Sequence, residues 1–310
     1  MNVQERSYEA IAEGSKSFAA ASRLLAPAVR DDVVKLYAWC RHCDDVIDGQ
    51  SMGGELAALA PEEQRRRLAS LHRDTARAID GDEDVPQPFQ ALREVARAHD
   101  FPRDWPFDLL EGFRMDVEAE RFATLEDTLV YCYHVAGIVG VMMARVMGVR
   151  DEPTLDRACD LGLAFQLTNI ARDVMEDARG GRSYVPEAWT GGRAGAPFDE
   201  DDREDALRAA QRLVREARPY YASARTGLAA LPFRSAWAIA AARRIYRAIG
   251  TKLAAAGPDV WDERVFTTRR EKAAMVALAS GDALRSRVGG AEFDRAGLWT
   301  RPRRRDGLPG

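Results

Sequence analysis

Two stretches of this 310-residue chain gather side chains of the kind that handle charged oxygen chemistry. The first runs Tyr37-Ala-Trp-Cys-Arg41-His-Cys-Asp44-Asp45-Val-Ile-Asp48. If helical, it places Tyr37, Arg41, Asp44 and Asp48 on one face, because they are spaced four, three and four apart. The second runs Gln166-Leu-Thr-Asn169-Ile-Ala-Arg172-Asp173-Val-Met-Glu-Asp177 and puts Gln166, Asn169, Asp173 and Asp177 on one face. Like charges at i and i+4 repel. They repel more strongly where Val46 and Ile47, or Leu167, Ile170 and Val174, bury the rest of the helix. A hard divalent cation relieves that repulsion. Mg²⁺ is characteristically shared between one or two carboxylates and substrate phosphates, which makes a diphosphate the implied ligand. A single Asp-x-x-x-Asp is more often an ordinary solvated face. Two, each backed by apolar periodicity, point to a carboxylate-lined cleft.

The elements that must position these faces read as helices throughout. Alanine is the commonest residue and arginine far outnumbers lysine, a composition of strong helix formers. No run alternates β-branched residues in the manner of a strand, so the expected class is all-α. The pattern predicts helices over 30–48, 61–79, 89–99, 106–120, 125–147, 153–178, 204–224, 234–255 and 264–279. Thr124 is the expected N-cap of the fifth, with Asp127 three residues on. The longest irregular segment, 180–202, is rich in Gly, Pro and aromatic residues, and a segment of that length inside a compact domain is often functional. One domain over 1–280 is expected, followed by a basic, disordered tail over 281–310 that ends in Arg301-Pro-Arg-Arg-Arg305.

Other classes are disfavoured. Lys+Arg 45 against Asp+Glu 49 leaves a net charge of −4, which gives no general attraction to nucleic acid. The N-terminus has no apolar signal core. The most apolar run is interrupted by His134 and Arg145, leaving Val135–Ala144, short of the roughly 20 residues a membrane span needs. A cytoplasmic protein is expected, peripheral at the inner membrane at most. Cys40-x-x-Cys43 has no second pair at zinc-ligand spacing, so these and Cys132 and Cys159 read as buried fillers. His42 points off the acidic face and reads as structural.

In the contexts CRHCDDVIDG and QLTNIARDVMED, the two acidic motifs resemble the paired aspartate motifs of the squalene/phytoene synthase family. Ser15-Lys16-Ser17-Phe18 is similar to the family's N-terminal segment, and Tyr131–Gly140 to its central tyrosine–glycine helix. Gly181-Arg-Ser-Tyr184-Val-Pro186 is similar to its flap, and Leu298–Pro302 to the bacterial phytoene-forming branch. The resemblance implies head-to-head joining of two allylic prenyl diphosphates through a cyclopropylcarbinyl diphosphate, on one helical fold with a central cavity. It implies that Asp44, Asp48, Asp173, Asp177 and Asn169 hold Mg²⁺ or Mn²⁺. Diphosphate oxygens would be held by Ser15, Lys16, Ser17, Tyr37, Arg41, Gln166, Arg172, Tyr246, Arg264 and Lys272. It makes Tyr131 catalytic, and Phe18, Gly137, Gly140 and Phe165 cavity residues; close helix packing is the other reading of the two glycines. No nicotinamide is expected. The branches it leaves open are a C40 product from geranylgeranyl diphosphate or a C30 product from farnesyl diphosphate. Chain-elongating synthases repeat DDxxD, and cyclases carry a different second motif. A non-catalytic binding or assembly relative should have lost its carboxylates. The apolar product implies transient contact with a membrane surface.

Overall fold

The computed structural model describes residues 21–49, 60–191, 198–262, 265–289 and 292–303. Ser15, Lys16, Ser17, Phe18 and Arg264 lie outside the described residues. Every regular element among the described residues is helical: α1 (Pro27–Asp48), α2 (Pro61–Ile79), α3 (Gln87–Ala98), α4 (Trp105–Val117), α5 (Leu125–Cys132), α6 (Ile138–Val146), α7 (Glu152–Arg179), α8 (Arg203–Thr226), α9 (Phe233–Ala254) and α10 (Arg269–Arg285), with short turns between them.

Local signals account for most of the boundaries. Pro27 and Pro61 open α1 and α2 from the first turn, where a missing N–H costs nothing. α1 therefore starts three residues before the predicted Arg30. It stops at Gly49, whose φ of 74° is the left-handed conformation and whose N–H donates to Asp45 O. Thr124 and Asp127 form a reciprocal capping box at the start of α5. A second box, Thr268 with Glu271, opens α10, so that helix begins five residues after the predicted 264 and continues to Arg285.

The predicted helix 125–147 is one continuous run broken by a π turn over Tyr133–Gly137, which joins α5 to α6. The run Leu125–Val146 is long and apolar enough to cross a membrane, but 61% of its most apolar window is buried inside the protein. It crosses α7 at backbone contact. A Cβ on Gly162 would sit 2.3 Å from Ala136 O, and one on Gly140 would sit 2.5 Å from Ala158 O. Trp39, Leu36, Phe89, Leu92, Ile138, Met142 and Leu163 fill the core around this crossing.

The expectation of a disordered tail fails for residues 281–289 and 292–303. The first five residues belong to α10. Beyond it, Arg295 donates twice to Asp160, at 2.8 Å from both Nε and Nη2, and Arg301 Nε donates to Asp156 at 2.9 Å. Trp299 packs against Tyr133 with ring centroids 5.5 Å apart. Arg301 and Arg303 of the basic run, with Arg295 before it, thus neutralise two buried carboxylates of α7.

Candidate active site

An elongated cavity of about 290 Å³ lies between α6, α7 and α9. Tyr37, Gln166, Asn169 and Tyr246 line one end of it. Met143, Ala144, Met147, Val149, Leu228 and Leu231 line the remainder with apolar side chains, joined by Thr154 and Arg157. Along α7, from Asn169 to Thr154, it follows about 22 Å of helix. Phe165 and Gly140 line it, while Gly137 does not. A Cβ on Gly137 would meet Leu163 Cδ1 at 2.8 Å and Cys159 Sγ at 3.0 Å, so that glycine serves helix packing.

Beyond the polar end the same helix faces carry the acids, two turns past Tyr37 on α1 and one turn past Asn169 on α7. Asp44 opens on the cleft with 44% of its side chain exposed. The walls are close enough that desolvation, then the like charge of Asp48, push it up to about 7. Asp177 is pushed up to about 7 as well, by burial first and then by Asp173 and Glu176. Both feel a further carboxylate, Asp116 of α4. Asp116 feels Asp48 in turn, and burial raises it to about 6 against hydrogen bonding from Tyr184. Asp116 thus bridges the fields of the two acidic helices. Tyr246 does the same at the cavity end, sensing Arg172 and Asp173 on α7 while raising Tyr37 on α1. Its ring stacks on Phe165 with centroids 4.2 Å apart.

The basic residues of the two motifs pair locally. Arg41 holds Asp44 at 3.0 Å and Asp45 at 2.7 Å. Arg172 Nε donates to Asp173 at 2.8 Å, and Trp261 Nε1 donates to Arg172 O at 2.8 Å, fixing that turn of α7. Asn169 Nδ2 donates to Gln166 Oε1 at 3.2 Å, which leaves the carbonyl oxygen of Asn169 for the cleft. Lys272 falls in the first turn of α10, whose neighbour Glu271 pairs with Lys252.

Tyr131 is 5% exposed, just before the π turn. Its ring stacks on Tyr184 of the segment after α7 and packs against Phe122. Its hydroxyl donates to Asp116 Oδ2 at 3.2 Å and that of Tyr184 to Asp116 Oδ1 at 2.8 Å. Burial raises the Tyr131 hydroxyl well above its ordinary range, so it stays protonated. The 180–186 segment is stitched down by Thr128 Oγ1 donating to Tyr184 O at 3.1 Å and by Glu187 N donating to Phe122 O at 2.8 Å. Two residues of this assembly, Asp116 and Arg182, were not singled out from sequence as site residues. Arg182 Nη1 lies 3.6 Å from Asp48 Oδ1. His42 stands edge-on to Phe89 with centroids 5.6 Å apart, in a packing role, and the four cysteines are free thiols.

The oxygen donors available to a hard cation are Asp44, Asp48, Asp173, Asp177 and Asn169. Among the described residues no three His, Cys, Asp or Glu side chains converge on one point. Paired carboxylates suit ions that take one or two of them and complete their shell with water and phosphate, which is the habit of Mg²⁺. Carboxylates held together against their own repulsion are chemically matched to such an ion.

Comparison with known proteins agrees with this architecture. The family model for squalene/phytoene synthase matches residues 11–271. The 15-cis-phytoene synthase of a Paracoccus species is 56% identical over 96% of this chain and 97% of that one. The 15-cis-phytoene synthase of Pantoea ananas is 51% identical over 95% and 96%. In fold, the chain is similar to a ligand-bound dehydrosqualene synthase, with a TM-score of 0.77, 25% identity and coverage of 92% and 97%. It is also similar to the squalene synthase HpnC from Alicyclobacillus acidocaldarius, with a TM-score of 0.66, 24% identity and coverage of 82% and 92%. With its acidic helices, stacked tyrosines and apolar cavity, this chain belongs to the squalene/phytoene synthase family.

Proposed function

We propose that this chain is a phytoene synthase that joins two geranylgeranyl diphosphates head to head. The observation that carries the chemistry is an apolar cavity whose polar end continues, along two helix faces, into paired carboxylates. The choice of C20 substrate is supported by the two relatives named as 15-cis-phytoene synthases, similar over nearly the whole length of both chains.

Asp44, Asp48, Asp173, Asp177 and Asn169 would hold Mg²⁺ or Mn²⁺. When bound, these ions neutralise charge building on the departing diphosphate. Arg41 and Arg172 flank the acids and turn their guanidinium groups to diphosphate oxygens when the acids are occupied. Tyr37, Gln166 and Tyr246 line the junction between head and tail. The carbocation left by ionisation must meet the second double bond before it meets water. Tyr131 and Tyr184 are stacked and hydrogen-bonded to Asp116 beside the acids, and the π faces of such rings would favour a cation. The 180–186 segment excludes solvent above them. The proton lost at the end goes to the released diphosphate, since the Tyr131 hydroxyl stays protonated. No step requires a nicotinamide. A cytoplasmic protein touching the membrane surface to release its hydrocarbon fits this chemistry, and nucleic acid does not enter it.

The test is incubation of the purified protein with Mg²⁺ and either geranylgeranyl or farnesyl diphosphate. A C40 triene from the former is the expected product. A C30 hydrocarbon formed from farnesyl diphosphate alone would keep the residue roles and reject the C20 assignment.

A further inference from the structure

Arg182 belongs to the flap rather than to either acidic helix, yet its charge reaches both. It follows Gly181, whose φ of 74° turns the chain sharply after α7, and its N–H donates to Asp177 O at 2.9 Å. The guanidinium reaches across to α1, with Nη1 3.6 Å from Asp48 Oδ1. Its positive field also stabilises the ionised forms of Asp116 on α4 and Asp177 on α7. One side chain thus serves carboxylates of three helices. Arg41 and Arg172, by contrast, are each bound to acids of their own helix.

We propose that Arg182 is a third resident counter-charge of the metal-free cleft, beside Arg41 and Arg172, displaced when a divalent ion takes Asp48, so that metal loading unfastens the flap that carries it. The inference rests on the cleft being the divalent-ion site. Its physical basis is exclusion. A guanidinium and a dication cannot share one carboxylate in a confined cleft, because like charges a few ångströms apart repel strongly there. The arginine is the partner able to leave, being a long side chain on a glycine-hinged segment, with 40% of it already exposed. Once displaced it remains beside the cleft, where its planar fork suits an anion arriving with the metal. Arg182 would therefore oppose binding of the ion alone and favour binding of ion and diphosphate together. That ordering keeps the carboxylates compensated until a substrate head group arrives, whose oxygens then take the displaced arginine and hold the flap over the cleft.

The experiment compares wild type, Arg182→Gln and Arg182→Lys for binding of Mn²⁺, by paramagnetic resonance, with and without inorganic diphosphate. Without diphosphate, Arg182→Gln is expected to bind Mn²⁺ about 2- to 5-fold more tightly than wild type, the range that a partly exposed ion pair is worth. Arg182→Lys should stay near wild type. With diphosphate the advantage of Arg182→Gln should vanish or reverse. Hydrogen exchange on unsubstituted protein gives an independent reading: Mn²⁺ should accelerate exchange at the amides of 182–185. Equal or weaker Mn²⁺ binding by Arg182→Gln, or a flap whose exchange Mn²⁺ leaves unchanged or slows, overturns the proposal while leaving the metal cleft standing. Failure of every form to bind Mn²⁺ even with diphosphate removes the cleft reading and this inference with it.

Discussion

Tyr131 and Tyr184 lie ring over ring, with centroids 4.6 Å apart and planes within 18°, and their hydroxyls donate to the two oxygens of a single carboxylate, Asp116. Because Tyr131 belongs to α5 and Tyr184 to the segment after α7, Asp116 ties that segment to the core run. Replacing Asp116 by Ala leaves two buried hydroxyls without their acceptor, at about 1–3 kcal/mol each. The flap, held to α4 through one of them, should loosen. The expected outcome is slower hydrocarbon formation together with a larger share of prenyl alcohol, the product of water capturing the cation. Chromatography of both products checks this. A slower enzyme with an unchanged alcohol share would show that Asp116 acts on stability and not on closure.

Much of the acidic cleft was legible in the sequence because its signals are local. Asp44 and Asp48, or Asp173 and Asp177, announce themselves by i,i+4 spacing on helices whose other faces are apolar, and the Thr124–Asp127 cap is confined to four residues. Asp116 carries no such signal. It sits among Glu111, Arg114, Glu118 and Glu120, a run that reads as a solvated face, and its partners lie 15 and 68 positions away. The π turn at 133–137 likewise has no local cause. It forms where α5 and α6 press on the backbone of α7 at Gly162. Position 182 read only as part of a flap, since its reach to Asp48 depends on how the chain turns at Gly181.

The raised acids make the metal-free protein sensitive to pH in a defined direction. Asp44 and Asp177 titrate near about 7 when folded, against an ordinary value of 3.8. A carboxyl whose folded pKa is raised binds its proton more tightly folded than unfolded, so stability is lost as pH rises from ~4 through ~7. Ions that bind the carboxylate form should reverse the loss and release protons as they do so. With chelator present, the melting temperature is expected to fall between about pH 5 and pH 8, and added Mg²⁺ should restore more of it at the higher pH. Asp44→Asn should flatten the chelator curve. A melting temperature that rises over this window in chelator would contradict the crowding of these acids.

The apolar end of the cavity should set how long a prenyl tail fits. The side chain of Ala144 lines it beside Met143 and Met147, several turns from Asn169. Ala144→Phe would fill that end while leaving the acids untouched. A hydrophobic pocket discriminates by about 1–3 kcal/mol per methylene at most. A whole isoprene unit denied space should therefore shift the ratio of kcat/KM for geranylgeranyl over farnesyl diphosphate by at least ~10-fold toward the shorter substrate. Steady-state kinetics on both substrates measures it. An equal loss on both would place the tail elsewhere.

α7 carries a second i,i+4 pair of aspartates, Asp156 and Asp160, and it shows what separates a structural pair from a metal cleft. These side chains are 4% and 1% exposed, and arginines of the C-terminal segment close over both. Arg295 grips Asp160 at 2.8 Å, Ser223 also donates to it, and Arg301 and Arg303 take Asp156. The segment is therefore a strap rather than a tail, and the cost of removing it is electrostatic. Arg295→Met strands Asp160 with a hydroxyl as its main remaining partner, and breaking a buried pair from one side costs about 3–5 kcal/mol. Adding Asp160→Asn to Arg295→Met removes the stranded charge and should recover most of that loss. Denaturant unfolding of the single and double variants measures both. If the double variant is no more stable than the single, what the strap contributes is packing, through Trp299 on Tyr133, and the carboxylates of this pair are not what it holds.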